Sequence, residues 1–251
     1  MNKRDFRINV FKKAAICRNF ENVVYAMFED KVIQFPGYLS AGQEFIPATI
    51  SEICKDKKPL LFAQHRCHST YLSFGGDMIQ LIDELLGRKT GCANGMGGSA
   101  SIHSKEINMY GHDGLMGSQI PIGVGACYSS KKPTIGIMGD ASAEEDYVLG
   151  ALGWAATKKL PMLFVVEDNN LSILTEKKVR RDWHMHRVAR SFGLEAWNIS
   201  DDPLEILEHS NNFFEYPTLL NINTHRLFWH SGAGIDNEDE FDRYRVEMED
   251  L

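Results

Sequence analysis

The sequence lacks the features that mark a membrane protein or a nucleic-acid-binding protein. Its longest apolar run, Leu160 to Val166, has seven residues, whereas a membrane-spanning helix needs about 18 or more. It also lacks a basic excess, since 27 Lys and Arg stand against 34 Asp and Glu. Binding to a phosphodiester backbone depends on clustered cations. We therefore expect neither a membrane nor a nucleic acid as a partner.

The sequence is also poor in the cysteine patterns that stabilise small secreted domains or hold zinc. It has five cysteines, an odd number, and none of them forms a Cys-x-x-Cys pair. This argues against a disulfide framework or a zinc ribbon and favours a reducing compartment, the cytoplasm. The first twenty residues are basic but lack the roughly 7–15 consecutive apolar residues of a secretory signal, so we predict a helix there.

Charge is distributed unevenly along the chain. Of the net charge of −7, nearly all comes from residues 236–251, which hold eight acids and two arginines. The preceding residues form a globular mixture with no internal repeat. The sequence thus predicts one domain over residues 1–235, followed by an acidic tail over residues 236–251.

The clearest structural pattern is a strand–helix–strand unit. Thr134–Asp140 and Pro161–Asp168 are apolar enough to be buried parallel strands, and Ala143–Lys158 between them is predicted as a helix. The alternation continues downstream with a helix, a strand, a helix and a strand, over Trp183–Phe192, Leu194–Asn198, Asp202–Ser210 and Thr218–Thr224. Such alternation predicts a doubly wound α/β fold, a mainly parallel sheet with helices on both faces.

The region before this unit has fewer signals. Helical spacing of apolar residues predicts helices over residues 1–30 and Ile46–Lys55. The segment from Gly87 to Gly117 holds eight glycines, which predicts a long loop of the kind that is usually functional or disordered.

Polar residues follow both strands of the strand–helix–strand unit. Asp140 comes after the first strand, and Asp168, Asn169 and Asn170 end or follow the second. Ligands of doubly wound sheets bind beyond the carboxyl ends of the strands, and carboxylate, amide and carbonyl oxygens are suitable ligands for magnesium. The helix start after Asp140 would favour an anionic diphosphate. The local pattern is equally consistent with a helix cap at Asp140 and a plain turn at the asparagines.

Five segments together resemble a known family. The segment from residue 139 to 170, GDASAEEDYVLGALGWAATKKLPMLFVVEDNN, is similar to the thiamine diphosphate motif that opens with Gly-Asp-Gly and closes with Asn. Four more segments narrow the resemblance: HRCH, GRKTGCANGMGGSASIH, HDGLMGSQIPIGVG and THRLFWHS, which begin at residues 65, 87, 112 and 224. Over residues 45–235 the chain resembles the alpha subunit of the thiamine diphosphate-dependent decarboxylating component of 2-oxo-acid dehydrogenases, which implies the diphosphate-type domain of the thiamine diphosphate-binding fold.

The resemblance implies a role for particular residues in holding magnesium and the diphosphate. Magnesium would be bound by Asp140, Asn169 and the backbone oxygen of Leu171, although Asn170 is only one position away. The diphosphate would contact residues of two segments, namely Ala141, Ser142 and Arg66, with His65 at a position that is often tyrosine.

The remaining implied site residues contact the rest of the cofactor or the substrate. Gly114 and Met116 match positions at the aminopyrimidine ring. His230 matches a histidine near the thiazolium that helps bind substrate and move protons. Arg226 matches an arginine of the same loop, which would either order that loop or approach the diphosphate.

Some positions depart from the family pattern. Ala141 stands where glycine is usual, Phe228 replaces a histidine, and the helix start carries three acids at Glu144, Glu145 and Asp146. These acids would place negative charge near a site for a diphosphate unless they only compensate the helix dipole.

The resemblance implies decarboxylation of a 2-oxo acid and transfer of the acyl or aldehyde fragment to an acceptor. It also implies a beta-type partner subunit in an α2β2 heterotetramer, which would supply the pyrimidine-binding half of the site, and a lipoyl acyltransferase is a further candidate partner. Two alternatives stay open. One is a subunit of a split transketolase-like or carboligating enzyme, and the other is a catalytically inactive binding subunit, which Ala141 and the acidic helix start favour.

Overall fold

A six-stranded parallel sheet forms the centre of the structure. The computed structural model describes residues 2–111, 114–228, 230–232 and 241–251. The strands of the sheet are β1 Leu60–Phe62, β2 Met109–Tyr110, β3 Thr134–Gly139, β4 Met162–Asp168, β7 Glu195–Ser200 and β8 Thr218–Asn223, and a separate antiparallel hairpin is formed by β5 Leu171–Ser172 and β6 Thr175–Glu176. The strand order in the sheet is β2-β1-β3-β4-β8-β7, and every neighbouring pair is parallel.

Helices precede and alternate with these strands. Within the described residues they are α1 Lys3–Glu29, α2 Phe45–Ile53, α3 His68–Ser73, α4 Met78–Leu85, α5 Gln119–Ser130, α6 Asp146–Thr157, α7 Lys177–Arg180, α8 Met185–Ser191, α9 Pro203–Glu208 and α10 Arg243–Asp250. None of these helices combines the length and the apolar character needed to cross a bilayer. Every strand and helix predicted from Thr134 onward is present, with ends shifted by a few residues.

One predicted helix begins differently from expectation. The helix predicted over Ala143–Lys158 starts as a short 3-10 turn, Ser142–Glu144, and only then continues as α6. The interruption is at Glu145, whose backbone is extended with φ −64° and ψ 139°. Several elements, including β1 and α3 to α5, were not predicted at all.

Alternation along the central strands places helices on both faces of the sheet. On β4, Leu163 and Val165 belong to the core that contains α2, α3 and α4. Met162, Phe164 and Val166 point to the opposite core, which contains α5, α6 and α8. Successive side chains of a strand point to opposite faces, so a strand covered on both sides must be apolar throughout. The predicted doubly wound α/β class is confirmed.

The register between β3 and β4 sets the position of the strand-end acids. Gly139 pairs with Glu167, so the next residues of the two strands, Asp140 and Asp168, lie at the same edge of the sheet. Both carboxylates are buried, with 1 % and 4 % of the residue surface exposed. The edge on which the sequence predicts a ligand site therefore holds two buried acids.

The acidic C-terminal segment packs back onto the domain where it is described. Asp242 pairs with Arg18 of α1 at 2.8 Å, and Glu247 of α10 accepts a hydrogen bond from Arg7 at 3.0 Å. Residues 233–240 lie outside the described residues, so the predicted boundary between 235 and 236 stays a prediction.

The glycine-rich loop after α4 is organised around one buried carboxylate, that of Glu84. Its two oxygens accept hydrogen bonds at 2.6–3.2 Å from four backbone amides, those of Ala93, Gly95, Gly97 and Gly98. A side chain would not fit at one of these positions, since a Cβ on Gly97 would lie 2.0 Å from the carbonyl oxygen of Ser101. Bonds to an ionised acceptor are stronger than neutral ones, so Glu84 fixes this loop.

Replacement of Glu84 by glutamine should destabilise the chain. The amide nitrogen of glutamine donates instead of accepting, so the loop amides that Glu84 binds lose acceptors. We expect the free energy of unfolding to fall by about 2–4 kcal/mol. Urea unfolding followed by circular dichroism measures this, with the exposed Glu106→Gln variant of the same loop as the matched control. Equal stability of the two variants would contradict the role given to Glu84.

Candidate functional site

A cavity opens at the carboxyl ends of β3 and β4 and encloses about 620 Å³ of empty space, including the part open to solvent. Its walls come from five separate parts of the chain: Gln64, His65, Arg66, Met116, Gly139, Asp140, Ala141, Ser142, Glu167, Asn169, Leu171, Ser172, Ile173, Arg226 and His230. The structure thus brings together all the predicted site residues except Gly114. That glycine is exposed, with φ +102°, and does not line the cavity.

Asp140 is the buried carboxylate at the end of β3. Burial and the neighbouring Asp168 raise its pKa to about 6, against the opposing charges of Arg180 and Lys177. Its Oδ2 pairs with the guanidinium of Arg180. The second strand-end acid, Asp168, pairs with Lys177 at 2.5 Å and accepts a hydrogen bond from Asn221 at 2.9 Å. Each acid is therefore compensated by a different cation.

Asn169 is oriented with its carbonyl oxygen as an acceptor. Its Nδ2 donates to Gln43 at 3.0 Å, and its Oδ1 accepts the amide of Leu171 at 3.0 Å. An amide oxygen has two lone pairs, so Oδ1 retains the capacity to bind a cation. Asn170 is exposed and lies outside the cavity lining, which favours Asn169 of the two candidates. The metal assignment itself stays a prediction.

The donor set fits a hard cation. Asp140, Asn169 and Leu171 supply a carboxylate, an amide oxygen and a carbonyl, which are oxygen ligands of the kind that magnesium binds. Among the described residues, no three His, Cys, Asp or Glu side chains are placed so that they could together hold a metal ion, so a softer site for zinc has no support there.

Ser142 and Arg66 supply hydrogen-bond donors for an anion. The Ser142 hydroxyl is buried and has no hydrogen-bond partner among the described residues. A buried orphan hydroxyl is costly, which fits a phosphate oxygen as its partner. Arg66 donates to the carbonyl of Leu39 and lies in the cavity wall beside His230. Ala141 has φ −73° and ψ −39°, which any residue adopts, so glycine is not required for this backbone conformation.

The acidic helix start is neutralised where it is closest to the cavity. Glu144 pairs with both Arg180 and Arg181 at 3.2 Å. Asp146 is exposed. The charge that the sequence places near the diphosphate site is therefore compensated by arginines that lie about 36 positions further along the chain.

Two buried polar residues of the cavity, Glu167 and Gln64, were missed by sequence reasoning. Burial raises the pKa of Glu167 to about 8, although the Gln64 hydrogen bond and the Arg66 charge oppose this shift. The carboxyl is thus mainly protonated near pH 7 and can donate a hydrogen bond. Glu167 lies within a strand that is otherwise apolar up to Asp168, and Gln64 follows the three-residue β1, which is too short to be recognised from its pattern.

His230 lies in a cluster of rings. The ring of Tyr38 meets His65 and His230 edge-on, with centroids at 4.7 and 5.4 Å. Nδ1 of His230 lies 3.2 Å from Nη2 of Arg66. Because a guanidinium can only donate, Nδ1 is the acceptor, and a neutral His230 carries its proton on Nε2. His230 can therefore act on a ligand through the N–H group at Nε2. Trp229 lies outside the described residues.

Arg226 orders the far wall of the cavity. It is 2 % exposed, and its Nη2 donates to the carbonyl of Ile173 at 3.0 Å. Ile173 connects the two strands of the β5–β6 hairpin, which begins at Leu171. The sequence allows two roles for Arg226, which are to order its loop or to approach the diphosphate. This contact supports the ordering role.

A buried hydrogen-bond network holds Tyr38 in place. The Tyr38 amide donates to Ser99 of the glycine-rich loop at 2.9 Å, and Ser99 bonds to Nε2 of His68 at 2.9 Å. Nδ1 of His68 lies 3.1 Å from Glu21, which also accepts the Ser40 amide at 2.8 Å. Burial would raise the pKa of Glu21, but His68 and the Ser40 hydrogen bonds outweigh it and lower that pKa.

The lowered pKa of Glu21 predicts a pH-dependent contribution to stability. Ionised Glu21 stabilises the folded state above its ordinary pKa of 4.5, and this contribution is lost as pH falls through the lower folded-state value. Glu21→Gln should cost about 2–3 kcal/mol at pH 7.5, and the cost should shrink below about pH 4.5. Urea unfolding at several pH values measures it, with the exposed Glu29→Gln on the same helix as control. A cost that is independent of pH would show that the charge of Glu21 is not responsible.

A protein-family comparison matches nearly the whole chain. The model of the dehydrogenase E1 component family covers residues 12–250. The chain is 27 % identical over 265 residues to the mitochondrial pyruvate dehydrogenase E1 component subunit alpha-1 of Oryza sativa, covering 97 % of this chain and 66 % of that protein. It is 27 % identical over 256 residues to the alpha subunit from Rickettsia bellii, covering 95 % and 78 %. Against the alpha-2 subunit of Arabidopsis thaliana, identity is 32 % over 170 residues, covering 66 % and 43 %. The chain therefore spans less than two thirds of the length of the plant relatives.

Solved structures with the same fold include transketolases. The enzyme from Campylobacter jejuni superposes with a TM-score of 0.66 at 17 % identity and covers 89 % of this chain and 38 % of that chain. A transketolase variant from Pichia stipitis gives a TM-score of 0.58 at 18 % identity, covering 87 % and 36 %. At these identities the similarity shows the fold alone. The family match confirms the resemblance found in the sequence motifs, and the chain belongs to the dehydrogenase E1 component family.

Proposed function

We propose that this chain is the alpha subunit of a thiamine diphosphate- and magnesium-dependent enzyme that decarboxylates a 2-oxo acid. The observation that carries the proposal is the convergence of ten predicted site residues, from five separate parts of the chain, on one cavity. Family membership alone would not place these residues together. The relatives named above are pyruvate dehydrogenase subunits, which makes pyruvate the first substrate to test.

The chain's own residues would anchor the cofactor at its diphosphate end. Asp140, Asn169 and the carbonyl of Leu171 would hold magnesium. The orphan hydroxyl of Ser142 and the guanidinium of Arg66 would donate to phosphate oxygens, which suits the fixed donor geometry of arginine. Thiamine diphosphate supplies the electron sink that decarboxylation of a 2-oxo acid requires.

His230 would act on the substrate. Its Nδ1 accepts from Arg66, so its Nε2–H can donate to the carbonyl or carboxylate oxygen of a 2-oxo acid and exchange a proton there. Tyr38 and His65 pack against its ring and limit its rotation. Positioning of this kind keeps the proton at one defined atom.

A beta-type subunit would complete the site. The described residues form one parallel sheet with its helices and the small β5–β6 hairpin, which corresponds to the diphosphate half of the site implied by the family resemblance. Apolar side chains near the cavity are exposed in this chain: Leu115 by 60 %, Ile173 by 50 % and Leu174 by 53 %. Exposed apolar side chains beside a cavity are consistent with a surface that binds another protein. An α2β2 assembly would cover them.

The alternatives make different predictions. A carboligating enzyme would use the same cavity and transfer the fragment to an aldehyde, so only product analysis separates it from an acyl-transferring dehydrogenase. The inactive-subunit alternative loses part of its support, since Glu144 is paired with arginines and Ala141 has an ordinary backbone conformation.

The central test is carbon dioxide release from a panel of 2-oxo acids by the chain assembled with its beta-type subunit, thiamine diphosphate and magnesium. Asp140→Ala should weaken cofactor binding in calorimetry by more than about 100-fold and abolish turnover, because it removes the metal carboxylate. Asp146→Ala, which changes an exposed acid at the start of α6, is the matched control and should leave both unchanged.

Three results would contradict this proposal. Robust turnover by the chain without a partner would show that the whole site resides in this chain. Equal cofactor affinity of Asp140→Ala and the control would remove Asp140 from the metal site. Product formation only with an aldehyde acceptor would favour the carboligating alternative.

His230→Ala should separate chemistry from cofactor binding. We expect cofactor affinity to be retained and turnover to fall by about 10²–10⁴, the usual contribution of general acid–base catalysis. Calorimetry and steady-state kinetics on the assembled enzyme measure the two effects, with the exposed His184→Ala as control. Unchanged turnover with every substrate would exclude the role, and loss of cofactor binding would assign His230 to anchoring.

A further inference from the structure

Arg180 pairs with Asp140, the carboxylate that is predicted to bind the metal ion. It lies at the end of α7, and its side chain is only 14 % exposed. Its guanidinium pairs with Oδ2 of Asp140, lies 3.2 Å from Glu144 and donates to the carbonyl of Thr175 at 3.2 Å. The carboxylate proposed to bind magnesium is therefore already paired with a cation of the same chain.

Three acidic and three basic side chains surround the contact between Arg180 and Asp140, so their formal charges balance. The acids are Asp140, Glu144 and Asp168, and the bases paired with them are Lys177, Arg180 and Arg181. A divalent cation added to this balanced cluster meets a guanidinium at the same carboxylate, and like charges in a partly buried site repel strongly. A diphosphate added at the same time would restore the balance.

We infer that Arg180 is an exchangeable counter-ion, which competes with the divalent cation for Asp140 and binds the diphosphate when cation and diphosphate are present together. This inference rests on the proposed function, because it concerns the same metal and diphosphate site. The planar guanidinium suits both partners, since it binds carboxylate and phosphate oxygens with the same donor geometry.

The exchange does not require Arg180 to leave Glu144. Arg180 is also held by Glu144, which belongs to the 3-10 turn that begins at Ser142. The orphan hydroxyl of Ser142 lines the cavity. A guanidinium that remains near Glu144 can therefore leave Asp140 and still face the place where the diphosphate is proposed to bind. Binding of cation and diphosphate would then be coupled, each favouring the other.

Isothermal titration calorimetry on the chain assembled with its beta-type subunit tests this with two probes, Mn²⁺ alone and inorganic pyrophosphate in the presence of Mn²⁺. Arg180→Gln removes the competing charge, so Mn²⁺ alone should bind about tenfold more tightly. It also removes a phosphate donor, so pyrophosphate should bind about tenfold more weakly. Lys178→Gln on the same helix, at a side chain that is 76 % exposed, is the control and should change neither affinity.

Opposite changes in the two affinities distinguish exchange from a structural role. If Arg180 only held the hairpin, Arg180→Gln would weaken both probes, and that result overturns the inference. Unchanged Mn²⁺ affinity overturns it as well. Arg180→Lys is the second variant, used if Arg180→Gln does not fold. Lysine keeps the positive charge but lacks the planar donor geometry of arginine. Mn²⁺ affinity should therefore be unchanged, and pyrophosphate affinity should fall. Equal pyrophosphate affinity in Arg180→Lys contradicts the exchange.

The outcome also separates this inference from the proposed function. If neither the unsubstituted chain nor any variant binds Mn²⁺ or pyrophosphate, the metal and diphosphate site of the proposed function is wrong, and the exchange is excluded with it. If the unsubstituted chain binds both probes and Arg180→Gln binds them equally well, the site stands and only the exchange is overturned.

Discussion

The burial of two acids at the ends of neighbouring parallel strands is the constraint on which the site depends. The register of β3 and β4 places Asp140 and Asp168 at one edge of the sheet, because the residues before them, Gly139 and Glu167, pair with each other. Burial of Asp140 and, after it, the charge of Asp168 raise the pKa of Asp140. Lys177 and Arg180 compensate this pair, and both come from the short helix that follows the β5–β6 hairpin. This edge of the sheet therefore holds two acids whose side-chain counter-ions another cation can replace.

The third acid at this edge is stabilised in a different way. Glu167 has no lysine or arginine salt bridge among the described contacts, and amide donors from Gln64 and Gln43 surround it. Burial then keeps it largely protonated near neutral pH. The end of β4 therefore carries Asp168, which pairs with a lysine, beside Glu167, a neutral carboxyl that can donate a hydrogen bond. The two environments differ because cations reach Asp168 from the hairpin side, whereas Glu167 faces amides.

The parts of the fold that the sequence predicted are those with long, unbroken patterns. The strands β3 and β4 are apolar on both faces and flank a helix of ordinary length, so their pattern is distinctive. The three residues of β1 are too few for any periodicity. The helix α5 contains Pro121, Gly123 and Gly125, which have poor helix propensity, and packing against α6 and β3 stabilises it instead. The motifs predicted ten residues of the cavity, but Gly114 lies outside it.

By itself, the sequence determined the strand-end acids, the asparagines after β4 and the family to which the chain belongs, because these depend on residue types at short, fixed spacings. The tertiary structure decided which residues line the cavity and which charged side chains pair with each other. It placed Asn169 in the cavity and Asn170 at the surface, paired Glu144 with two arginines, and brought Arg180 onto Asp140 across 40 positions of the chain. Charge compensation acts through space over a few ångströms, and no spacing along the chain encodes which cation will reach which acid.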